Sequence, residues 1–233
     1  MKRITTISIL VIAISFRIVI ANEEGAESKL FELVINGDLA ALKALSPQIE
    51  EFNQSFLNQC WLLSFKSNNN EISEWLINIG ADKNCTNELG ENALFYAIDS
   101  KLPGRALRIR RAITFGLSPD STDSSGASLI HVAVSRSQID SVAELASSGA
   151  KIDIKDANGE TPISLAAKYG MKDIVAIFLS FGSEFSSTNR AGRNPLDNAA
   201  SLVPEDPILA FPYRSEAERK ETLRMLKEAM SLK

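Results

Sequence analysis

One histidine and two cysteines are all the imidazole and thiol this chain of 233 residues carries. Two cysteines cannot build a metal cage, and the histidine has no second beside it, so a metal centre is not expected. No glycine-rich loop precedes a Lys-Ser or Lys-Thr pair, and no serine stands in a nucleophile elbow. Asp and Glu number 29, yet no two are spaced in a way that supports acid–base chemistry. Catalytic, cofactor and metal residues are therefore all left unassigned, and the chain is not read as an enzyme. An excess of basic charge is missing too: 25 Lys and Arg leave a formal charge of −4. An acidic protein repels phosphate backbones, which argues against nucleic acid as a partner.

A long uninterrupted apolar run is also lacking. Lys2 and Arg3 precede an apolar stretch from Ile4 to Phe16, Arg17 interrupts it, and Val19-Ile20-Ala21 ends it on small residues before Asn22. The layout is that of a secretory signal peptide over residues 1–21, and the run before Arg17 is short for a spanning helix. Three readings follow: a cleaved signal, an uncleaved membrane anchor, or an unusual cytosolic N-terminus. Cleavage after Ala21 removes three cations and no acid, taking the charge from −4 to −7. Export implies a periplasmic or secreted protein, and membrane association only if the segment stays. Cys60 and Cys85 would then either pair as one bridge or remain two buried thiols. Asn53-Gln54-Ser55 and Asn84-Cys85-Thr86 match the short glycosylation pattern, which matters only in a eukaryotic secretory pathway.

What the chain does have is a double step of glycine. Gly80, Gly116, Gly149 and Gly182 are each followed ten residues on by Gly90, Gly126, Gly159 and Gly192, and the pairs recur every 36, 33 and 33 residues. One supersecondary unit is being repeated. Asn or Asp stands three before the second glycine each time, as Asn87, Asp123, Asp156 and Asn189, which marks a tight turn. In the clearest unit Thr161 is placed to cap a helix opened by Pro162. Gly170 then suits a turn between two helices, and Gly182 suits the end of the second.

Thr161-Pro162-Ile163-Ser164-Leu165-Ala166-Ala167 and Ser128-Leu129-Ile130-His131-Val132-Ala133 resemble the Thr-Pro-Leu-His-x-Ala motif of the ankyrin repeat. Weaker copies begin at Asn92 and Asn194, and Gly80-Ala81-Asp82 and Gly149-Ala150 resemble the family's Gly-Ala-Asp helix end. The resemblance implies an all-α solenoid of about six helix-turn-helix units joined by short β-turn fingers. It would occupy residues 22–233, with units near 26–55, 56–89, 90–125, 126–158, 159–191 and 192–233. The first unit centres on Asn36-Gly37-Asp38 and the second pair runs from Trp61 to Ile79. Ala133, Ala166 and Ala199 would let helices approach closely, and the charged last helix around Leu223 and Leu226 fits a polar cap. The resemblance also makes His131 structural, hydrogen-bonded into the turn of a neighbouring unit.

By the same resemblance the chain is a monomer that binds another protein, of unknown identity, through finger tips and inner helices. The tips are Glu88 and Leu89, Ser124 and Ser125, Ala157 and Asn158, and Arg190 and Ala191, with Glu91, Ala127, Glu160 and Arg193 beside them. First-helix ends add Asp99, Ser100, Ser135, Arg136, Lys168 and Tyr169. Arg136 and Tyr169 stand out, since Arg and aromatic side chains dominate binding hot spots. A membrane-tethered scaffold and an enzyme of unrecognised site are the alternatives.

Two places depart from the repeat. The third unit has three extra residues near Leu102-Pro103-Gly104, followed by Arg105, Arg108, Arg110 and Arg111, with Lys101 just before. This cluster either receives an acidic or phosphate-bearing partner or is a solvated outer helix face. The stretch from Leu202 to Arg214 interleaves Pro204, Pro207 and Pro212 with apolar residues, which either pack on the last repeats or meet a partner.

Overall fold

A computed structural model describes residues 26–44, 53–66, 69–99, 104–201 and 215–231. The expected export segment 1–21, Ser100, Lys101 and the proline-rich connection 202–214 lie outside the described residues.

Twelve helices among the described residues form six pairs: α1 (Ala26–Asn36) with α2 (Leu39–Ala44), α3 (Gln54–Lys66) with α4 (Asn70–Asn78), and α5 (Ala93–Asp99) with α6 (Arg105–Thr114). Next come α7 (Leu129–Ser135) with α8 (Ile139–Ser147), α9 (Pro162–Lys168) with α10 (Lys172–Ser180), and α11 (Pro195–Ala200) with α12 (Glu216–Ser231). The first helices contact one another in file from α1 to α11, and α6, α8, α10 and α12 form a second file beside them. No strand occurs among the described residues, only an isolated bridge between Thr122 and Ser128. This is the all-α repeat solenoid that the resemblance implied.

Local chemistry sets each boundary. Thr161 accepts a hydrogen bond from the Ser164 N–H at 3.3 Å, and Pro162 occupies the first helical position of α9. Helix α10 ends where the Gly182 N–H donates to the Leu179 carbonyl at 3.1 Å and the Ser183 N–H to that of Phe178 at 2.9 Å. That paired closure needs a left-handed residue, and Gly182 supplies it with φ of +78°. The same two bonds recur after Gly80, Gly116 and Gly149. Between α9 and α10, Gly170 is demanded twice over. Its φ is +64°, and a side chain there would come within 2.7 Å of Arg219 on α12.

The core is continuous along the file. Ala97, Ala133 and Ala166 have no exposed surface, while Ala199 in the last unit is half-buried. Leu94, Ile98, Leu129, Val134, Ile163 and Phe178 are fully buried around these contacts. Each such apolar side chain contributes about 1.5–3 kcal/mol, which an isolated pair could not gain. Helix α12 closes the array as a cap: Thr222 and Leu226 are buried, and Arg224 pairs with Glu221 at 2.6 Å and Glu228 at 2.7 Å on the wet side.

Two details differ from expectation. Helix α3 starts at Gln54, seven residues before Trp61, because Asn53 caps it by accepting from the Phe56 N–H at 2.9 Å. The added turns bury Phe56, Leu57 and Cys60, with the Phe56 ring 4.8 Å from that of Phe31 in α1. In the third unit the excess is shared. Five residues, 100–104, link α5 to α6 where three link α7 to α8, and α6 has 10 residues where α8 has 9.

Candidate functional site

Each finger is locked by its Asx residue. The Asn87 side-chain oxygen accepts from the N–H groups of Leu89 and Glu91, both at 2.9 Å. Asp123 does the same for Ser125 and Ala127, Asp156 for Asn158 and Glu160, and Asn189 for Ala191 and Arg193, all between 2.8 and 3.0 Å. Four turns of one shape result. With the N–H groups two and four residues past each Asx bonded inside the turn, tip side chains are free to face outward.

They do so: Glu88, Leu89, Ser124, Ser125, Ala157, Asn158, Arg190, Ala191 and Arg193 are all exposed. Leu89 stands out as an apolar side chain at 60% exposure. Ala127 and Glu91 are half-buried, the latter with its carboxylate accepting from the Asn87 amide at 2.8 Å. At the helix ends, Arg136 caps α7 and pairs with Asp99 of α5 at 3.2 Å. Tyr169 caps α9 half-buried, with the Lys168 ammonium 5.6 Å from its ring centre. Ser135 folds back onto the Val132 carbonyl at 2.9 Å.

Glu160 does not belong to this exposed set. It is 7% exposed, and its carboxylate accepts from Asn189 Nδ2 at 2.7 Å, from Asn198 Nδ2 at 3.0 Å and from the Ser164 hydroxyl. Asn198 and Ser164 are themselves buried at 1% and 2%. A carboxylate in that setting organises the joint between the fifth and sixth units and offers nothing to a partner.

His131 connects the fourth unit to the fifth. Its Nε2 lies 3.0 Å from the Glu160 carbonyl, so the proton must sit on Nε2, and Nδ1 accepts from the Ser128 hydroxyl at 2.7 Å. Burial pushes its pKa below the ordinary 6.5. The ring is a neutral strut between turns, as its motif position implied. Among the described residues no group of three or more His, Cys, Asp or Glu is placed to hold a metal.

The family model described as ankyrin repeats, in three copies, matches residues 62–156 and again 130–206, more than half of the chain. The chain belongs to the ankyrin-repeat family. No curated protein matches it. Ankyrin repeats are protein-interaction modules, typically without enzymatic activity, and bind other proteins. Among the described residues no helix is long and apolar enough to cross a membrane.

The basic cluster of this ankyrin-repeat protein is divided: Arg110 is exposed, Arg105 and Arg111 are half-buried, and each makes a contact within the fold. Arg108 is fully buried, with Nε 3.5 Å from the Ala97 carbonyl, and burial lowers its pKa. The Arg111 guanidinium lies over the Phe65 ring at 4.7 Å, inside a cluster where Trp61, Phe65 and Phe115 meet edge to face. Arg105 reaches Asp140 at 3.6 Å, and Arg110 makes a two-pronged bond to Glu144 at 2.9 and 2.7 Å. Arg105, Arg110 and Arg111 staple the third unit to its neighbours, while Arg108 bonds across the unit's own two helices. The acids that receive them, Asp140 and Glu144, stand four apart on the next outer helix, and that spacing was readable. Cys60 and Cys85 are both buried and are not bridged to each other, and burial pushes the Cys85 thiol up to about 12.

Proposed function

We propose that this is an exported ankyrin-repeat protein, periplasmic or secreted, that binds another protein as a monomer through its finger tips and inner-helix ends and carries out no catalysis. The observation that supports the strip is its rigidity. Every tip from Glu88 to Arg193 is fixed by the same Asx bonds, so little ordering entropy is lost on binding. Export rests on Lys2 and Arg3 ahead of the apolar run Ile4 to Phe16.

Capture of the native partner by immobilised full chain tests the strip. Replacing Arg136 and Tyr169 together by Ala is expected to weaken capture at least about tenfold, since hot-spot truncations of this kind cost roughly 2 kcal/mol. Unchanged capture by a folded variant removes the strip. N-terminal sequencing of protein from its host decides export: a start at Asn22 means a cleaved signal, and retained Met1 supports the tethered scaffold instead.

A further inference from the structure

The finger strip is electrically polarised. The finger at Gly90 offers the exposed Glu88 and the half-buried Glu91, whose carboxylate also accepts from Asn87, and the finger at Gly192 offers Arg190 and Arg193, with Ser124, Ser125, Ala157 and Asn158 between them. Charges that intervene are engaged internally. Asp123 and Asp156 accept the N–H groups of their own turns, Lys151 pairs with Asp120 at 3.5 Å, Lys155 donates to the Thr188 carbonyl at 2.9 Å, and Arg136 holds Asp99. Lys168 adds a further cation toward the basic end.

A second feature lies midway. The Ser124 N–H donates to the Leu89 carbonyl at 2.9 Å, and the Arg190 N–H to the Asn158 carbonyl at 3.0 Å, so fingers join in two pairs. Among the described residues no such bond joins the inner two. The exposed Ala157 N–H and Ser125 carbonyl carry no hydrogen bond there. A side-chain carbon added at Gly90 or Gly159 would press on the next finger at 2.8 or 3.1 Å, whereas one at Gly126 would meet nothing within 4 Å. The centre of the strip thus presents one free main-chain donor and one free acceptor across an open step.

Resting on the strip as the binding surface, we propose that its occupant is an extended, charge-segregated segment of a partner protein. Its basic end lies on Glu88 and Glu91, its acidic end on Arg190 and Arg193, and its backbone crosses the open step between Ser125 and Ala157. Lysine stems at the basic end lie along Leu89. Three inter-unit steps of about 9 Å, the usual helix spacing, separate the charged ends by about 27 Å. Extended backbone covers that in roughly eight residues.

The test uses the full chain and labelled peptides with blocked ends. One carries three Lys, eight Gly, Ser or Thr residues, then three Glu; a second has the same composition with Lys and Glu alternating; a third has the two clusters separated by two residues. The first is expected to bind roughly fivefold tighter than either other at low salt, the size that a few exposed charge pairs allow. The preference is expected to vanish at about 0.5 M salt. Arg190→Glu with Arg193→Glu is expected to abolish it, and adding Glu88→Arg and Glu91→Arg to the same chain to restore it with the peptide reversed. Arg193→Glu alone is the milder variant, expected to reduce the preference, should the others fail to fold. Equal binding of the three peptides, or a preference that survives Arg190→Glu with Arg193→Glu in a folded chain, overturns the proposal. If native capture still depends on Arg136 and Tyr169 while the peptides are not told apart, the polarity fails and the strip stands.

Discussion

Removing the Glu160 side chain separates a structural carboxylate from a contact residue. In Glu160→Ala the Asn189 and Asn198 amides and the Ser164 hydroxyl lose their acceptor. Asn189 is half-buried and recovers a water, and Asn198 still donates to Ser164 at 2.7 Å, so two buried donors are orphaned, the second Asn198 N–H and the Ser164 O–H. A buried donor left without an acceptor costs about 1–3 kcal/mol, so the expected loss is about 2–6 kcal/mol. In an array of this size each kcal/mol moves the melting temperature by about 2–4 °C, giving a fall of roughly 4–24 °C. Thermal melting followed by circular dichroism measures it, with Glu88→Ala as an exposed control expected to move by less than about 0.5 kcal/mol. Position sharpens the test. Both tryptophans, Trp61 and Trp75, lie in the second unit, so their fluorescence reports the far end of the array. Because units couple mainly to their neighbours, the fluorescence transition is expected to shift less than the helical signal. A Glu160→Ala melt indistinguishable from that of Glu88→Ala refutes the buried network.

His131 is the chain's one histidine and is held neutral by burial, so its folded pKa lies below its unfolded 6.5. Its contribution to stability is complete above pH 6.5 and is lost as pH falls below it, with a slope of at most about 1.4 kcal/mol per pH unit. Urea midpoints at pH 7.5 and 5.5 check this, and His131→Gln is expected to flatten the difference; an equal pH dependence in the variant refutes it. Gly90→Ala and Gly182→Ala both force a left-handed alanine, costing about 1–2 kcal/mol each. Only the first also drives a carbon to 2.8 Å from the Ser124 nitrogen, so it is expected to melt lower, and equal melting temperatures would contradict the finger contact.

The fold was legible because its boundaries are made by local chemistry. Glycine at +78°, proline at the first helical position and Asx three before a glycine each act through their own backbone, so sequence spacing carries them intact. Helix α3 was read too short for a related reason. Its first turns carry no repeat motif, and the cap that starts them, Asn53, is a signal the period does not contain.

The site was less legible because exposure is decided between units. Glu91 and Glu160 occupy the same register, one after the second glycine, yet the first is half-buried and the second closed off. What separates them lies 29 and 38 residues downstream: Asn189 and Asn198 converge on Glu160. At Glu91 the amide that reaches the carboxylate is that of its own turn, Asn87. Arg108 follows the same rule in reverse. It stands three from Arg105 and three from Arg111, a helical spacing, but spacing fixes a face only relative to the helix, and the neighbours decide whether that face meets water. Here Arg108 meets the Ala97 carbonyl of α5 and Arg111 the Phe65 ring of α3, so much of a run of arginines that looks like a docking patch is consumed by the fold. At the tips Glu88, Ser124, Ala157 and Arg190 keep their side chains exposed, because the turn that carries them closes on its own Asx residue.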